Sequence, residues 1–166
     1  DGGALKSTGA GSLSGREFKW PRTSNLSFGF EWKNMPAMAI ILCADKVRES
    51  NSFNGYKLRL NRSYAYLYRN NSADGAIFSS SNLGSVPLKW PSVRVPIGGM
   101  RKVNISVRIN QDKAMISLLQ DGRLVKTWRD PKEFAGRGGA IGFQPQGTES
   151  MKIFNLRLRE WNGHLP

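Results

Sequence analysis

Apolar and polar residues alternate with a period of two along most of this chain. In Tyr56-Lys57-Leu58-Arg59-Leu60 the two cations fall on one face of an extended strand and the apolar residues on the other. The stretch from Val103 to Ile109 repeats the pattern, with Val103, Ile105, Val107 and Ile109 on one side and Asn104, Ser106 and Arg108 on the other. Read this way, the chain places short strands at residues 26–32, 37–44, 55–60, 63–69, 76–80, 102–109, 114–119, 124–128, 138–144 and 151–161. Short strands at this spacing, with turn residues between them, predict an all-β, two-sheet antiparallel sandwich.

The connectors agree. Asp121-Gly122 sits between two strands as the pair a tight hairpin wants, because both central residues need positive φ. Residues 110–113 give a second short loop and residues 70–75 a longer one. Near the end the phase slips: Ile153 and Phe154 are adjacent apolar residues, then Leu156 and Leu158 alternate with Arg157 and Arg159, which predicts a bulge near Asn155. Only Asp130-Pro131-Lys132-Glu133-Phe134, ended by Gly136, carries helix signals, and it supports at most one short helical turn near 130–135.

With 39% hydrophobic residues in 166, the chain can build one domain with a real core. Residues 1–15 read as a loose lead-in or edge strand, 16–163 as a single domain and 164–166 as a tail, together an excised module of a longer protein. One cysteine and one histidine exclude disulfide frameworks, structural zinc sites, Cys–His nucleophile pairs and most histidine catalysis. Cys43, inside the apolar run from Met38 to Cys43, is expected to pack as a small inert hydrophobe. No run of 18 apolar residues is present.

The carboxylates are scattered, with no closely spaced pair aimed into one groove, as glycoside hydrolysis would need. Asp121 and Asp130 are read as turn and cap residues; Glu31 and Asp45 are the acids that would favour an enzyme if they converged in a pocket. His164 belongs to the tail, and the glycines at 136, 138 and 139 let the chain turn rather than cradle a phosphate.

Charge changes the picture most. Lys and Arg outnumber Asp and Glu by 25 to 12, a net +13. Lys57, Arg59, Arg62 and Arg69 interleave with Tyr56, Tyr64, Tyr66 and Tyr68, and Arg94, Arg101, Lys102, Arg108, Arg157 and Arg159 add further cations. Cations beside aromatics on a sheet suit an anionic polymer or single-stranded nucleic acid. Trp20 and Trp90 each stand in Lys-Trp-Pro, in extended segments where an indole can stack on a sugar or pack on the rim of the sandwich.

Three stretches, AMISLLQDGRLVKTWRDP (114–131), FAGRGGAIGFQ (134–144) and IFNLRLREWNG (153–163), resemble the concanavalin A-like, laminin G-like jelly-roll superfamily. Within it they are similar to modules of large bacterial exported proteins and to 3-keto-glycoside hydrolase domains. The resemblance implies a jelly roll serving as a non-catalytic glycan- or polymer-recognition or structural module of an exported protein, in the periplasm, the envelope or outside the cell. The alternatives are a glycoside-processing enzyme of the 3-keto-glycoside hydrolase type and a polyanion or nucleic-acid binder. No catalytic acid or histidine of that hydrolase type matches a position here, and the paired Glu/Asp strand of the glucanase branch is missing. For the calcium-binding lectin branch, Asn70, Asn71 and Asp74 are the nearest match. The expected ligand contacts are Trp20, Trp90, Tyr64, Tyr66, Tyr68, Arg59 and Arg69, with no catalytic residue, metal or cofactor. The expected partners are a polysaccharide or other anionic polymer, less readily nucleic acid, and other domains of the parent chain.

Overall fold

The computed structural model describes residues 5–7, 14–46, 53–71, 79–90, 99–136, 138–146 and 151–164. The strands are β1 (Leu5–Ser7), β2 (Ser14–Glu17), β3 (Thr23–Trp32), β4 (Met38–Ala44), β5 (Gly55–Leu60), β6 (Tyr64–Asn71), β7 (Ser79–Pro87), β8 (Arg101–Asn110), β9 (Met115–Gln120), β10 (Arg123–Arg129), β11 (Ala140–Pro145) and β12 (Met151–Glu160). They form two six-stranded antiparallel sheets: a first sheet in the order β1-β12-β3-β8-β9-β10 and a second in the order β2-β11-β4-β5-β6-β7. The segment ahead of Thr23 thus supplies one edge strand to each sheet.

Alternation builds the core. Leu26, Phe28, Phe30 and Trp32 of β3 and Val103, Ile105, Val107 and Ile109 of β8 point inward from the first sheet, each essentially buried. Ile40, Leu42, Tyr56, Leu58, Leu67 and Phe143 answer them from the second. Phe28 meets Phe143 edge-on across the gap, with ring centroids 5.3 Å apart. Each such side chain contributes about 1.5–3 kcal/mol by leaving water. At one side the sandwich is closed by the Trp128 indole of β10, which donates to the Gly84 carbonyl of β7 at 3.1 Å.

The turns follow the sequence. Asp121 and Gly122 take φ of 48° and 79°, the left-handed pair of a two-residue hairpin, and the Asp121 carboxylate accepts the Asn104 N–H at 2.9 Å. Asn155 takes φ of 54° within a register shift between Phe154 and Arg157, the predicted bulge, which turns Ile153, Leu156 and Leu158 all toward the core.

One expectation needs correction. The strand placed at residues 76–80 is observed as β7 over Ser79–Pro87, while 76–78 lie outside the described residues. Its Ser-Ser-Ser-Asn-Leu-Gly-Ser-Val-Pro sequence is an exposed edge with little apolar alternation, held by main-chain pairing to β6. Residues 130–135, for which the sequence supports at most one short helical turn, form none. Asp130 does accept the Lys132 N–H at 3.0 Å, as an N-cap would. The Ala135 N–H, however, donates to the Tyr56 hydroxyl (2.9 Å), and the Glu133 carbonyl accepts from Arg69 (3.0 Å), so the second sheet takes the groups a helix would use.

Cys43 is fully buried, and burial pushes its thiol far above the ordinary range. At neutral pH a thiol reagent should therefore leave the folded protein unlabelled and react fully in denaturant. Rapid labelling of folded protein, followed by mass spectrometry, would show instead that β4 opens locally.

Candidate functional site

On β6, Tyr64, Tyr66 and Tyr68 have the opposite phase to buried Ala65 and Leu67, so the three rings stand in a row on the outer face of the second sheet. Tyr64 and Tyr66 are 5.9 Å apart between centroids, and Tyr66 and Tyr68 are 6.3 Å apart with their planes 24° from parallel. Tyr64 is 42% exposed and the other two are half-buried. The hairpin register then sets a cation against each of two rings: Arg59 of β5 faces Tyr66 and Lys57 faces Tyr68. On the other side β7 supplies Ser85 opposite Tyr66 and Asn82 opposite Tyr68. Burial lowers the Lys57 pKa, and the neighbouring Arg59 charge lowers it further. β5, β6 and β7 contain no Asp or Glu. The result is a strip of aromatic faces bordered by positive charge on one side and by hydroxyl and amide groups on the other. Such a strip can stack on the apolar face of a sugar ring while hydrogen-bonding its hydroxyls.

Arg69, Trp20 and Trp90 do not join that strip. Arg69 follows Ala65 and Leu67 in phase and turns inward, where its guanidinium donates to Asp130 Oδ2 at 2.8 Å. The same carboxylate oxygen accepts the Tyr56 hydroxyl at 2.7 Å. Trp20 packs against the core and donates from its indole to the Gly139 carbonyl at 3.0 Å. Trp90 packs edge-on to Trp32 at 4.9 Å and donates to the Asn61 carbonyl at 2.8 Å. The buried Asp130–Arg69–Tyr56 group is the feature that sequence reasoning missed, because Asp130 is 61 residues from Arg69 and 74 from Tyr56.

No protein-family model matches the chain, and no curated protein matches its sequence. In structure it is similar to sheep galectin-11, with a TM-score of 0.57, 6% identity, and coverage of 92% of this chain and 100% of that one. It is similar to the carbohydrate recognition domain of Emp46p in its potassium-bound form, with a TM-score of 0.59, 14% identity, and coverage of 99% and 89%. A third likeness is to the botulinum neurotoxin serotype D ligand-binding domain in complex with N-acetylneuraminic acid. There the TM-score is 0.59, the identity 12%, and the coverage 96% of this chain and 39% of that one. The chain has a two-sheet antiparallel jelly-roll fold, similar to that of these three structures.

Within this jelly roll the tyrosine strip lies on the meander β4-β5-β6-β7, and the carboxylates of the described residues lie outside these strands. Glu31, on the first sheet, reaches Lys152 at 3.9 Å. Asp45, after β4 of the second sheet, accepts both the main-chain and side-chain N–H of Asn54, at 3.0 and 2.9 Å. The two acids therefore do not converge. A cavity of about 790 Å³ opens at the end of the jelly roll where β8 and β10 finish, lined by Arg22, Asp112, Lys113, Arg129, Asp130 and Glu133 among others. Two of its acids are held in ion pairs, Asp112 with Arg22 at 2.9 Å and Asp130 with Arg69. His164 is exposed, and its carbonyl accepts the Trp161 indole N–H at 2.9 Å. Among the described residues no three of His, Cys, Asp and Glu are grouped to hold a metal ion. The residues from 72 to 78, Asp74 included, lie outside the described set.

Proposed function

We propose that this jelly roll is a non-catalytic glycan-recognition module of a larger exported protein, holding a polysaccharide along β6. The observation that carries the reading is the row of three tyrosine rings on an outer sheet face, with Arg59 and Lys57 across the register and no carboxylate in β5, β6 or β7. Aromatic faces suit the apolar side of sugar rings, and the cations favour chains that carry uronate, sialyl or sulfate groups. Two fold neighbours, a carbohydrate recognition domain and a domain bound to N-acetylneuraminic acid, support the choice of ligand class. The ion pairing of Asp112 and Asp130, and the separation of Glu31 from Asp45, support a module without hydrolytic chemistry, which would need two carboxylates flanking one bond.

The test is titration of the protein against neutral and acidic polysaccharides and single-stranded DNA, at low and high salt. We expect selective glycan binding that survives high salt. Tyr66→Ala should weaken it about 10-fold, from the loss of roughly 1.5 kcal/mol of ring contact. Tyr64→Ala/Tyr66→Ala/Tyr68→Ala should abolish it with the fold intact by circular dichroism. Unchanged binding in the folded triple variant would sink the site, and release of reducing ends from a bound glycan would sink the non-catalytic reading.

A further inference from the structure

The opposite face of the sandwich carries a different chemistry. On the outer side of the first sheet the register sets Arg159 of β12 and Arg108 of β8 on either side of Asn25, and Arg157 beside Ser27 and Ser106. At the other end of the same strands Lys152 and Lys102 flank Glu31. Five cations thus share a face of β12, β3 and β8 with one carboxylate, and that carboxylate reaches Lys152 at 3.9 Å. None of Arg108, Arg157 and Arg159 is paired with a described carboxylate. The small residues Ser27, Gly29 and Ser106 form the floor between the cationic strands.

The aromatic rings on this face are already covered. Phe154 lies over Gly29, where an added Cβ would come within 2.1 Å of the ring. The Lys102 ammonium sits 4.5 Å from its centroid and the Lys152 ammonium 5.6 Å. The Arg108 guanidinium lies 5.5 Å from the Trp161 ring. With the Phe154 and Trp161 rings seated against Gly29 and these cations, the described residues of this face leave no free aromatic platform for a nucleic-acid base or for the apolar side of a neutral sugar. What it offers is charge at intervals: residues two apart on a strand stand roughly 7 Å apart, and the next strand but one stands roughly 10 Å away. That spacing is too wide to grip one small anion and suits successive charged groups on a chain.

From this geometry we infer that the outer face of the first sheet binds an acidic polysaccharide, sulfated or uronate-bearing, through Arg108, Arg157 and Arg159. The surface is independent of the tyrosine strip, which faces away from it on the second sheet, so one module can bridge two chains.

The experiment titrates the full chain and two variants, Arg108→Ser/Arg157→Ser/Arg159→Ser and Tyr66→Ala, against heparin, polygalacturonate, dextran and a thymidine oligonucleotide over a range of salt. Folding of both variants is checked by circular dichroism. The wild-type protein is expected to bind heparin or polygalacturonate. The arginine variant should lose at least 30-fold of that affinity, with a log K against log salt slope shallower by about 2–3. Tyr66→Ala should cost heparin binding no more than the roughly 10-fold assigned to the tyrosine strip and leave the salt slope unchanged. The assignment is overturned if wild type binds neither acidic polymer or if the folded arginine variant binds as well as wild type. It is equally overturned if Tyr66→Ala costs heparin binding as much affinity as the arginine variant does, or if the oligonucleotide binds as tightly as heparin and is lost in the same arginine variant. A failure of dextran or other neutral-glycan binding in Tyr66→Ala alone bears on the tyrosine strip and leaves this face untouched.

Discussion

Asp130→Ala is expected to lower stability by about 3–5 kcal/mol, read as a shift of the urea midpoint, because it leaves a buried charge without its partner. The Asp130 side chain is 1% exposed and that of Arg69 14%. One carboxylate oxygen accepts from both the Arg69 guanidinium (2.8 Å) and the Tyr56 hydroxyl (2.7 Å), and the other accepts the Lys132 N–H (3.0 Å). Removing the carboxylate strands a guanidinium and a phenol in a place water does not reach freely. A loss of that size is a large part of the 5–15 kcal/mol that holds an ordinary domain folded, roughly speaking. Asp130→Ala/Arg69→Met should recover part of it, since the double variant removes the orphaned charge as well. Tyr56→Phe should cost about 1–2 kcal/mol, because the Ala135 N–H loses its acceptor. A drop below about 1 kcal/mol for Asp130→Ala would mean that the network contributes position and little stability.

The same network sets a pH dependence. Burial is the main cause that raises the Tyr56 phenol above its ordinary value, and the Asp130 carboxylate raises it further, while the Ala135 N–H and the Arg69 charge pull it down. The folded pKa therefore lies above the unfolded one, near 10. Its contribution to stability is fully present below about pH 10 and is lost as the pH rises beyond it. Tyr56→Phe should remove that part of the alkaline loss.

The contrast between Arg69 and the tyrosines shows how much of this site was legible. Tyr64, Tyr66 and Tyr68 share one phase of a strand, and Lys57 and Arg59 share one phase of the strand before it, so a short hairpin brings them together from local pattern alone. Arg69 has the inward phase of Ala65 and Leu67, but an inward arginine makes sense only once Asp130, 61 residues on, is known to meet it. Trp20 is settled in the same way by a carbonyl 119 residues away. The alternation in β8, the Asp121-Gly122 turn and the Asn155 bulge were readable because neighbouring residues decide them. β7 was misplaced because an exposed edge strand needs no apolar alternation, only main-chain pairing to β6. The basic face of the first sheet was hidden for a topological reason. β12, β3 and β8 are far apart in sequence, and only the sheet order lays Arg157, Arg159 and Arg108 side by side.

Gly138→Ala is expected to cost about 3 kcal/mol, the upper end of what overpacking does to a close-packed region. A Cβ at Gly138 would stand 1.8 Å from the Ala44 carbonyl oxygen, 2.1 Å from its carbon and 2.4 Å from the Asp45 nitrogen. All three are main-chain atoms at the end of β4, and the Gly138 N–H donates to the Cys43 carbonyl there at 3.2 Å. Relief would have to come from separating two backbones that lead into the paired strands β4 and β11. Two other glycines calibrate the claim. Gly122 has open space around it but φ of 79°, so Gly122→Ala should cost about 1–2 kcal/mol from the left-handed conformation alone. At Gly29 the obstacle is the Phe154 ring, a side chain on the sheet surface that can swing aside, so Gly29→Ala should cost under about 1 kcal/mol. Thermal or urea denaturation of the three variants should rank them in that order. If Gly138→Ala is no worse than Gly122→Ala, a small backbone shift accommodates the methyl group, and glycine at 138 serves the turn into β11 rather than the close approach to β4.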